Sequence, residues 1–268
     1  MATNNNGALL PKAYFEEVGR DGYDANPIAA GPMSFVSHTF GDQMVFERFD
    51  DYWREGMPYL SEVEFRPIPN DAERSRALWQ GEVAIIQVTD APELRSWREA
   101  ARNGPYQFID SDEMEMPDQF IMMNTVQPPF DDQTARLALA LATDREAYIE
   151  RIGAEDLYEV ANGPWAPTSP WHTEVDFPEY DPERAAELVE EVKAEHGDFA
   201  FVLKTTPTPG ATRATNALIE AWQEVGIDAT LDTKPQSDLI FDVLFNDYEV
   251  ALWRQFDFPH PANEEVWW

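Results

Sequence analysis

The order of apolar strands and capped helices in the second half of the chain restricts the fold more than any other feature. The apolar run at 119–124 predicts a strand that is buried on both faces. Further strands are expected at 199–204 and 227–231, each next to a helix with its own start and stop signals. Strands that alternate with helices form mainly parallel sheets whose faces the helices cover. The sequence therefore predicts an α/β fold.

Helix boundaries can be read from capping residues. Asp181 is expected to cap a helix that begins at Pro182 and ends at Gly197. A second helix, over 211–225, ends at Gly226. Earlier in the chain, a helix is expected from Asp132, with an apolar stripe made of Ala135, Leu137, Ala138, Leu141 and Ala142.

A capping box and a loop complete this part of the pattern. Thr143 and Glu146 have the spacing of a capping box for another short helix. The segment 164–182 is rich in proline and aromatic residues and predicts an ordered surface loop.

Strand patterns dominate before residue 120. Alternating residues predict a hairpin over 33–49 and a strand at 62–66. Asn70 and Glu73 are expected to form the capping box of a helix that ends at Gly81. A strand at 83–88, a helix over 92–101 and an extended segment at 106–109 are then expected.

The charge balance argues against several partners. The chain of 268 residues has 19 Lys and Arg against 51 Asp and Glu, a formal net charge of −32. Such a charge repels phosphate backbones and anionic headgroups, so nucleic acid is not expected as a partner. An acid-rich, lysine-poor surface suits concentrated salt, where the Debye length falls to about 3 Å at 1 M. We interpret the protein as one from a halophilic or marine source. The alternative is an ordinary acidic protein without salt adaptation.

Catalytic and metal-binding motifs are not found in the sequence. Cysteine is absent, which excludes thiolate catalysis and cysteine-based zinc sites. The acidic run 110–115 lacks the spacing of a calcium loop, and no nucleophile elbow or P-loop occurs. The four histidines, which are His38, His172, His196 and His260, lack zinc-hydrolase spacing. We expect no cofactor and no metal, while a glycosidase or peptidase built on a carboxylate pair stays open because carboxylates are abundant.

Targeting signals are also missing from the sequence. The sequence contains no run of about 18 apolar residues, which is the length that a membrane-spanning helix needs. Residues 1–7 lack the basic start and apolar stretch of a signal peptide. Either a cytoplasmic location or a missing N-terminal segment is expected on this ground.

Motifs in a fixed order run through most of the chain. Residues 31–35 (GPMSF) precede 44–53 (MVFERFDDYW), and residues 58–69 read PYLSEVEFRPIP. Later segments are 123–132 (MNTVQPPFDD), 136–146 (RLALALATDRE) and 180–188 (YDPERAAEL). In order and spacing these segments resemble the extracytoplasmic solute-binding proteins of family 5, which serve ABC importers of the peptide/nickel type.

The resemblance implies a solute-binding protein rather than an enzyme. Its fold would be the two-lobed periplasmic-binding-protein fold of type II, cluster C, here incomplete because family members are considerably longer. Residues 1–118 would be the later part of lobe I, and residues 119–268 the first part of lobe II, which is domain III of the family.

The resemblance also implies partners and a location. The protein would capture a small solute between its lobes and deliver it to the ABC permease subunits, outside the cytoplasm, in a periplasmic or extracellular membrane-associated location. A peptide is the leading ligand, and an oligosaccharide or a metal chelate is the alternative, because fold does not settle the ligand.

The segment 253–263 (WRQFDFPHPAN) resembles the W..D…DP..N segment of the peptide-binding members, in which a tryptophan flanks the ligand and an aspartate receives its α-amino group. Asp257 lies four residues before Pro261, as in that pattern. Trp253 is one residue further from the aspartate than usual, and His260 replaces the second aspartate. The residues expected to bind the ligand are Asp257, Trp253, Phe256 and, at the predicted crossing strand, Asn124.

Overall fold

The computed structural model describes residues 10–88, 90–109, 117–163, 165 and 170–256, with backbone only at 117, 118, 255 and 256. The chain forms two compact units, Met1–Pro69 and Asn70–Trp268. Among the described residues, no helix combines the length and apolar character needed to cross a membrane.

The first unit contains a helix and a small antiparallel sheet. The sheet has the order β1-β2-β3 and consists of β1 (Met33–Thr39), β2 (Gln43–Arg48) and β3 (Glu62–Phe65). The predicted hairpin and the following strand are thus confirmed. The helix α1 (Lys12–Ala25) was not predicted, and it is bent at Gly19, whose φ of 68° lies in the left-handed region.

Aromatic side chains line one side of this sheet. The ring of Phe46 lies 6.0 Å from that of Phe35 and 6.0 Å from that of Phe65, and both contacts are edge-to-face. None of the described residues of this unit is fully buried. The first unit therefore has cross-strand aromatic pairs without a closed core of its own.

The second unit contains seven helices and four strands in its described part. They are α2 (Asp71–Trp79), α3 (Ala91–Asn103), β4 (Pro117–Met123), α4 (Gln133–Leu141), α5 (Arg145–Arg151), α6 (Pro182–His196), β5 (Ala200–Thr205), α7 (Pro209–Glu224), β6 (Asp228–Thr233), α8 (Gln236–Leu244) and β7 (Val250–Phe256). The caps predicted at Asn70 and Asp181 are present, since each side chain accepts a hydrogen bond from the backbone three residues later. The α/β class is confirmed.

The four strands form one mixed sheet with the order β4-β7-β5-β6. β5 is parallel to both β6 and β7, and β4 is antiparallel to β7. β7 was not predicted because its partner β4 lies more than 120 residues upstream, and α8 was not predicted either.

Apolar clusters cover both faces of this sheet. On one face, α4, α6 and α7 pack against Val250 and Leu252 of β7, around a fully buried Trp222. On the other face, α8 packs against Ala251 and Trp253. Because successive strand residues point to opposite faces, the apolar run of β4 supplies both clusters, as the sequence predicted.

Three local predictions are wrong. Residues 83–88 form no strand, because no described strand pairs with them, and Ile85 is exposed. Thr143 does not cap α5; Asp144 does so by accepting from Ala147 N at 2.9 Å. Leu137 is exposed, and the buried stripe of α4 consists of Ala135, Ala138, Leu139 and Ala142.

Ion pairs join α3 to later parts of the second unit. Arg95 pairs with Asp156, and Arg213 of α7 contacts Asp90 at 2.6 Å, directly before α3. The division between the compact units therefore precedes α2. The lobe boundary at 118/119 is a different division and stays a prediction.

Candidate functional site

The topology of the sheet marks one edge as the place for a ligand. α7 connects β5 to β6 across one face, and α8 connects β6 back to β7 across the other face. The chain therefore changes direction between β5 and β7. In open α/β sheets, ligands bind outside the carboxyl ends of the strands at such a switch point.

Strands β4 and β7 extend past this edge as a two-stranded ribbon, the β4–β7 ribbon. β7 pairs with β4 along its whole length, from Val250 to Phe256, but with β5 only at Val250 and Ala251. At about 3.3 Å per residue, the ribbon projects roughly 13 Å beyond the last residue of β5. Side chains on this projection lie beyond the carboxyl end of β5.

A polar cluster, the Arg254 end, lies on the projecting part of the ribbon. It consists of Gln119, Tyr148, Tyr158 and Arg254. Gln119 and Arg254 are direct cross-strand partners, so their side chains share one face. Tyr148 Oη donates to Gln119 Oε1 at 2.7 Å, and Arg254 Nη2 donates to Tyr158 Oη at 2.8 Å.

Burial keeps the Tyr148 part of this cluster neutral. Loss of solvent around the Tyr148 hydroxyl is the largest cause of a strongly raised pKa, the nearby Tyr158 adds to the rise, and Arg254 opposes it. The phenol therefore stays protonated throughout the physiological range. The positive charge of Arg254 is not balanced by a phenolate at Tyr148.

The opposite end of the ribbon, the Asn124 end, has a different character. The Asn124 side chain is buried, and its Nδ2 donates to Tyr248 O at 2.8 Å and to Asn246 O at 3.2 Å. Its Oδ1 accepts from Val126 N at 3.2 Å. All the hydrogen-bonding groups of this side chain thus have protein partners, and its two donated bonds hold the turn before β7.

An ion-paired lysine supports the same turn. Lys204 Nζ contacts Asp242 Oδ2 at 2.7 Å and also donates to Asp247 O. Lys234 contacts the same Asp242 oxygen at 2.6 Å. Hydrogen bonds from Lys204 and then Lys234 lower the pKa of Asp242, although desolvation opposes the shift.

The ribbon separates the residues that the sequence predicted as ligand contacts. Asn124 follows the last residue of β4 at one end, while Phe256 ends β7 opposite Pro117 at the other. The Trp253 side chain is buried in the cluster under α8. Asp257 lies outside the described residues, directly after β7. Ligand contact by these four residues stays a prediction.

Two further features of the second unit are weaker candidates for a binding site, because several of their polar groups already have protein partners. Asp132, Glu195 and His196 bring possible metal-ligand atoms within 4.8 Å of one another. However, Asp132 already caps α4 by accepting from Thr134 N at 2.8 Å, and this backbone bond is the main cause of its lowered pKa. An open hollow of about 560 Å³ between α5 and α7 is lined by Arg151 and Arg213, which are paired with Glu220 and Asp90.

Comparisons with known proteins agree with a solute-binding fold. The glutathione-binding protein GsiB of Pectobacterium atrosepticum is 27% identical over 184 residues, which are 69% of this chain and 34% of that protein. The dipeptide-binding protein of Escherichia coli is 25% identical over 240 residues, or 84% of this chain and 43% of that protein. The chain therefore matches less than half of either relative's length.

A solved structure shows the same fold. The periplasmic binding protein DppA of Helicobacter pylori, in complex with the peptide STSA, superposes with a TM-score of 0.79 at 22% identity. The match covers 96% of this chain and 49% of that one. The periplasmic-binding-protein fold, present in part, is confirmed.

The fold, with its mixed sheet, matches that of a periplasmic binding protein. The model of the bacterial extracellular solute-binding proteins, family 5 (middle), matches residues 3–268. The chain belongs to this family. Members of the family are periplasmic or extracellular solute-binding proteins of ABC transporters and not enzymes, so the carboxylate-pair hydrolase is set aside.

Arg254 was not identified from the sequence. A signal was nevertheless present, because Val250, Leu252 and Arg254 alternate onto one face of an apolar strand. A charged residue on a core-facing position needs a partner or a function. Tyr148 and Tyr158 carried no comparable signal, since only the fold brings them to the ribbon.

Proposed function

We propose that the protein is the solute-binding component of an ABC importer, which captures a peptide or a similar small solute between two lobes and delivers it to the membrane permease. The observation that carries this proposal is the β4–β7 ribbon, which projects past the carboxyl edge of the sheet within a chain of family 5. The location that follows is periplasmic or extracellular and membrane-associated.

Capture requires the ligand to favour one arrangement of the lobes. A solute that contacts both lobes binds the closed state more tightly than the open state, and this difference shifts the population toward closure. The ribbon would be part of the crossing between lobes, with the boundary at 118/119. The closed shape is what the permease would recognise.

A peptide is the solute class that the relatives favour. GsiB binds glutathione, the Escherichia coli relative is a dipeptide-binding protein, and the Helicobacter pylori structure holds the peptide STSA. We assign Asp257 to the positively charged α-amino group of the peptide, with Trp253 and Phe256 contributing apolar surface. In the sequence, Asp257 is the residue directly after Phe256, the last residue of β7.

Calorimetry on the full-length protein with di- to hexapeptides tests this assignment. Asp257→Ala should weaken binding by about 2–5 kcal/mol, because a buried ammonium would lose its charged partner. Asp198→Ala, at an exposed position before β5, is the matched control and should bind as the parent does. Unchanged affinity of Asp257→Ala for every peptide that binds the parent would exclude Asp257 as the cation anchor. Binding of an oligosaccharide or a metal chelate in place of every peptide would move the solute class to that alternative.

A further inference from the structure

Arg254 has an unusual hydrogen-bond deficit. Among the side chains that the structure describes, its Nε is the single buried nitrogen or oxygen without a hydrogen-bond partner. The Arg254 side chain is partly buried, and its Nη2 donates to the Tyr158 hydroxyl at 2.8 Å. Buried donors of a charged group are rarely left unpaired, because the desolvation cost is not recovered.

Several other arginines of the second unit pair with carboxylates. Arg95 pairs with Asp156, Arg213 with Asp90, and Arg184 with Glu187. Within the described residues, no Asp or Glu oxygen forms an ion pair with Arg254. Arg136 and Arg145 also lack a carboxylate, but they donate to backbone carbonyl oxygens, whereas Arg254 Nε has no acceptor among the described residues.

The chemistry of the guanidinium defines what could complete it. Nε and the terminal nitrogens form a rigid planar fork that matches the two oxygens of a carboxylate. Arg254 Nη2 donates to the Tyr158 hydroxyl, so Nε remains as a donor without an acceptor on the projecting part of the ribbon. The Gln119 side chain, its exposed cross-strand neighbour, adds an amide on the same face.

We propose that Arg254 is the anchor for a carboxylate group of the solute, with Tyr158 holding the guanidinium in place. This inference rests on the proposed solute-binding function and names the chemistry of one contact. A solute with a free carboxylate, such as a short peptide, would fit this contact.

The test compares acids with their amides. Calorimetry on the full-length protein uses Ala-Ala, Ala-Ala-Ala and Ser-Thr-Ser-Ala, each with a free C-terminal carboxylate and as the C-terminal amide. For the parent, at least one acid should bind roughly 10- to 100-fold more tightly than its amide, the range for hydrogen bonds to a charged group. In Arg254→Met this preference should disappear, and Arg254→Lys should restore only part of it, since lysine lacks the planar fork.

Matched controls separate the anchor from general effects. Arg184→Met removes one positive charge from the exposed surface of α6 and should keep the acid preference of the parent. Thermal melting without peptide checks that Arg254→Met is folded. Arg254→Met should melt close to the parent, because the change removes an unsatisfied buried donor as well as one hydrogen bond.

Each other outcome overturns the proposal in a recognisable way. Equal binding of acids and amides by the parent would reject the carboxylate anchor while leaving peptide capture intact. Strong destabilisation of Arg254→Met with an unchanged acid preference would mean that a protein carboxylate satisfies Nε in the full-length chain. Failure of every acid and amide to bind the parent would count against both the anchor and the capture of peptides.

Discussion

The two ends of the β4–β7 ribbon use their polar groups differently. At the Asn124 end, a buried amide donates to two backbone carbonyls and accepts from a backbone N–H. At the Arg254 end, a buried guanidinium nitrogen has no partner among the described residues. A complete set of hydrogen bonds stabilises a turn, whereas a donor without a protein acceptor can donate to a solute. We propose from this difference that the Asn124 end serves the fold and the Arg254 end serves binding, whereas the sequence pattern predicted Asn124 as a ligand contact.

The largest effect is expected from Asn124→Ala. Loss of the amide removes its bonds to the carbonyls of Asn246 and Tyr248, so unfolding of the full-length protein in urea should show a loss of about 2–4 kcal/mol. Solute affinity of the folded variant should match the parent. Asn103→Ala, at an exposed position near the end of α3, should change stability by less than about 0.5 kcal/mol. A stable Asn124→Ala variant with weakened binding would show that this end contacts the ligand.

The ion-paired turn at the same end predicts a pH effect. Because its folded-state pKa is lowered, ionised Asp242 stabilises the fold fully above the ordinary carboxyl range, and this contribution is lost as pH falls through the lowered value. Asp242→Asn should therefore lose roughly 1.5–3 kcal/mol at pH 7, and its stability should fall less than that of the parent below about pH 4. Denaturant unfolding at both pH values measures this. The exposed Asp238→Asn is the control, and parallel pH curves for parent and Asp242→Asn would refute the role of Asp242.

A smaller effect is expected from Tyr158→Phe at the Arg254 end. The change removes the hydroxyl that accepts from Arg254 Nη2 but keeps the ring. Stability should change by less than about 1 kcal/mol, and affinity for peptide acids should fall roughly 3- to 10-fold, with little change for the amides. Titration calorimetry gives both affinities. An equal loss for acids and amides would argue against positioning of the guanidinium by Tyr158.

Added salt is expected to raise the stability of the fold and to lower the affinity for the solute. Both effects should be smaller than those of the substitutions above. Added NaCl screens the repulsion among charges that sum to −32, so the melting temperature should rise by a few degrees toward molar salt. The same screening should weaken the binding of peptide acids at Arg254. A flat or falling melting temperature would remove the halophilic interpretation without affecting membership of the family.

Local signals in the sequence predicted most elements of the fold, because caps and periodicity depend on near neighbours. Two adjacent residues show the limit of this approach: Thr143 and Asp144 are both competent caps, yet Trp222 Nε1 donates to Thr143 Oγ1 at 2.9 Å, and Asp144 takes the cap. That contact spans 79 positions and cannot be read from a capping pattern.

The candidate site was harder to predict than the fold. The motif around Trp253 and Asp257 directed attention to this part of the chain, but Arg254 lies between them in the sequence and carried no motif of its own. Its significance comes from the pairing with Gln119 and the contact with Tyr158, which lie 135 and 96 positions away in the sequence. Asn124 was assigned by resemblance, while its hydrogen bonds reach carbonyls 122 and 124 positions away.

A crystal structure of the full-length protein with its tightest-binding peptide acid tests the assignment of the two ends most directly. We expect a carboxylate oxygen of the peptide about 3 Å from Arg254 Nε, with the hydrogen bonds of Asn124 unchanged from those described. A peptide bound at the Asn124 end, or a protein carboxylate paired with Arg254 in the presence of the peptide, would contradict the account.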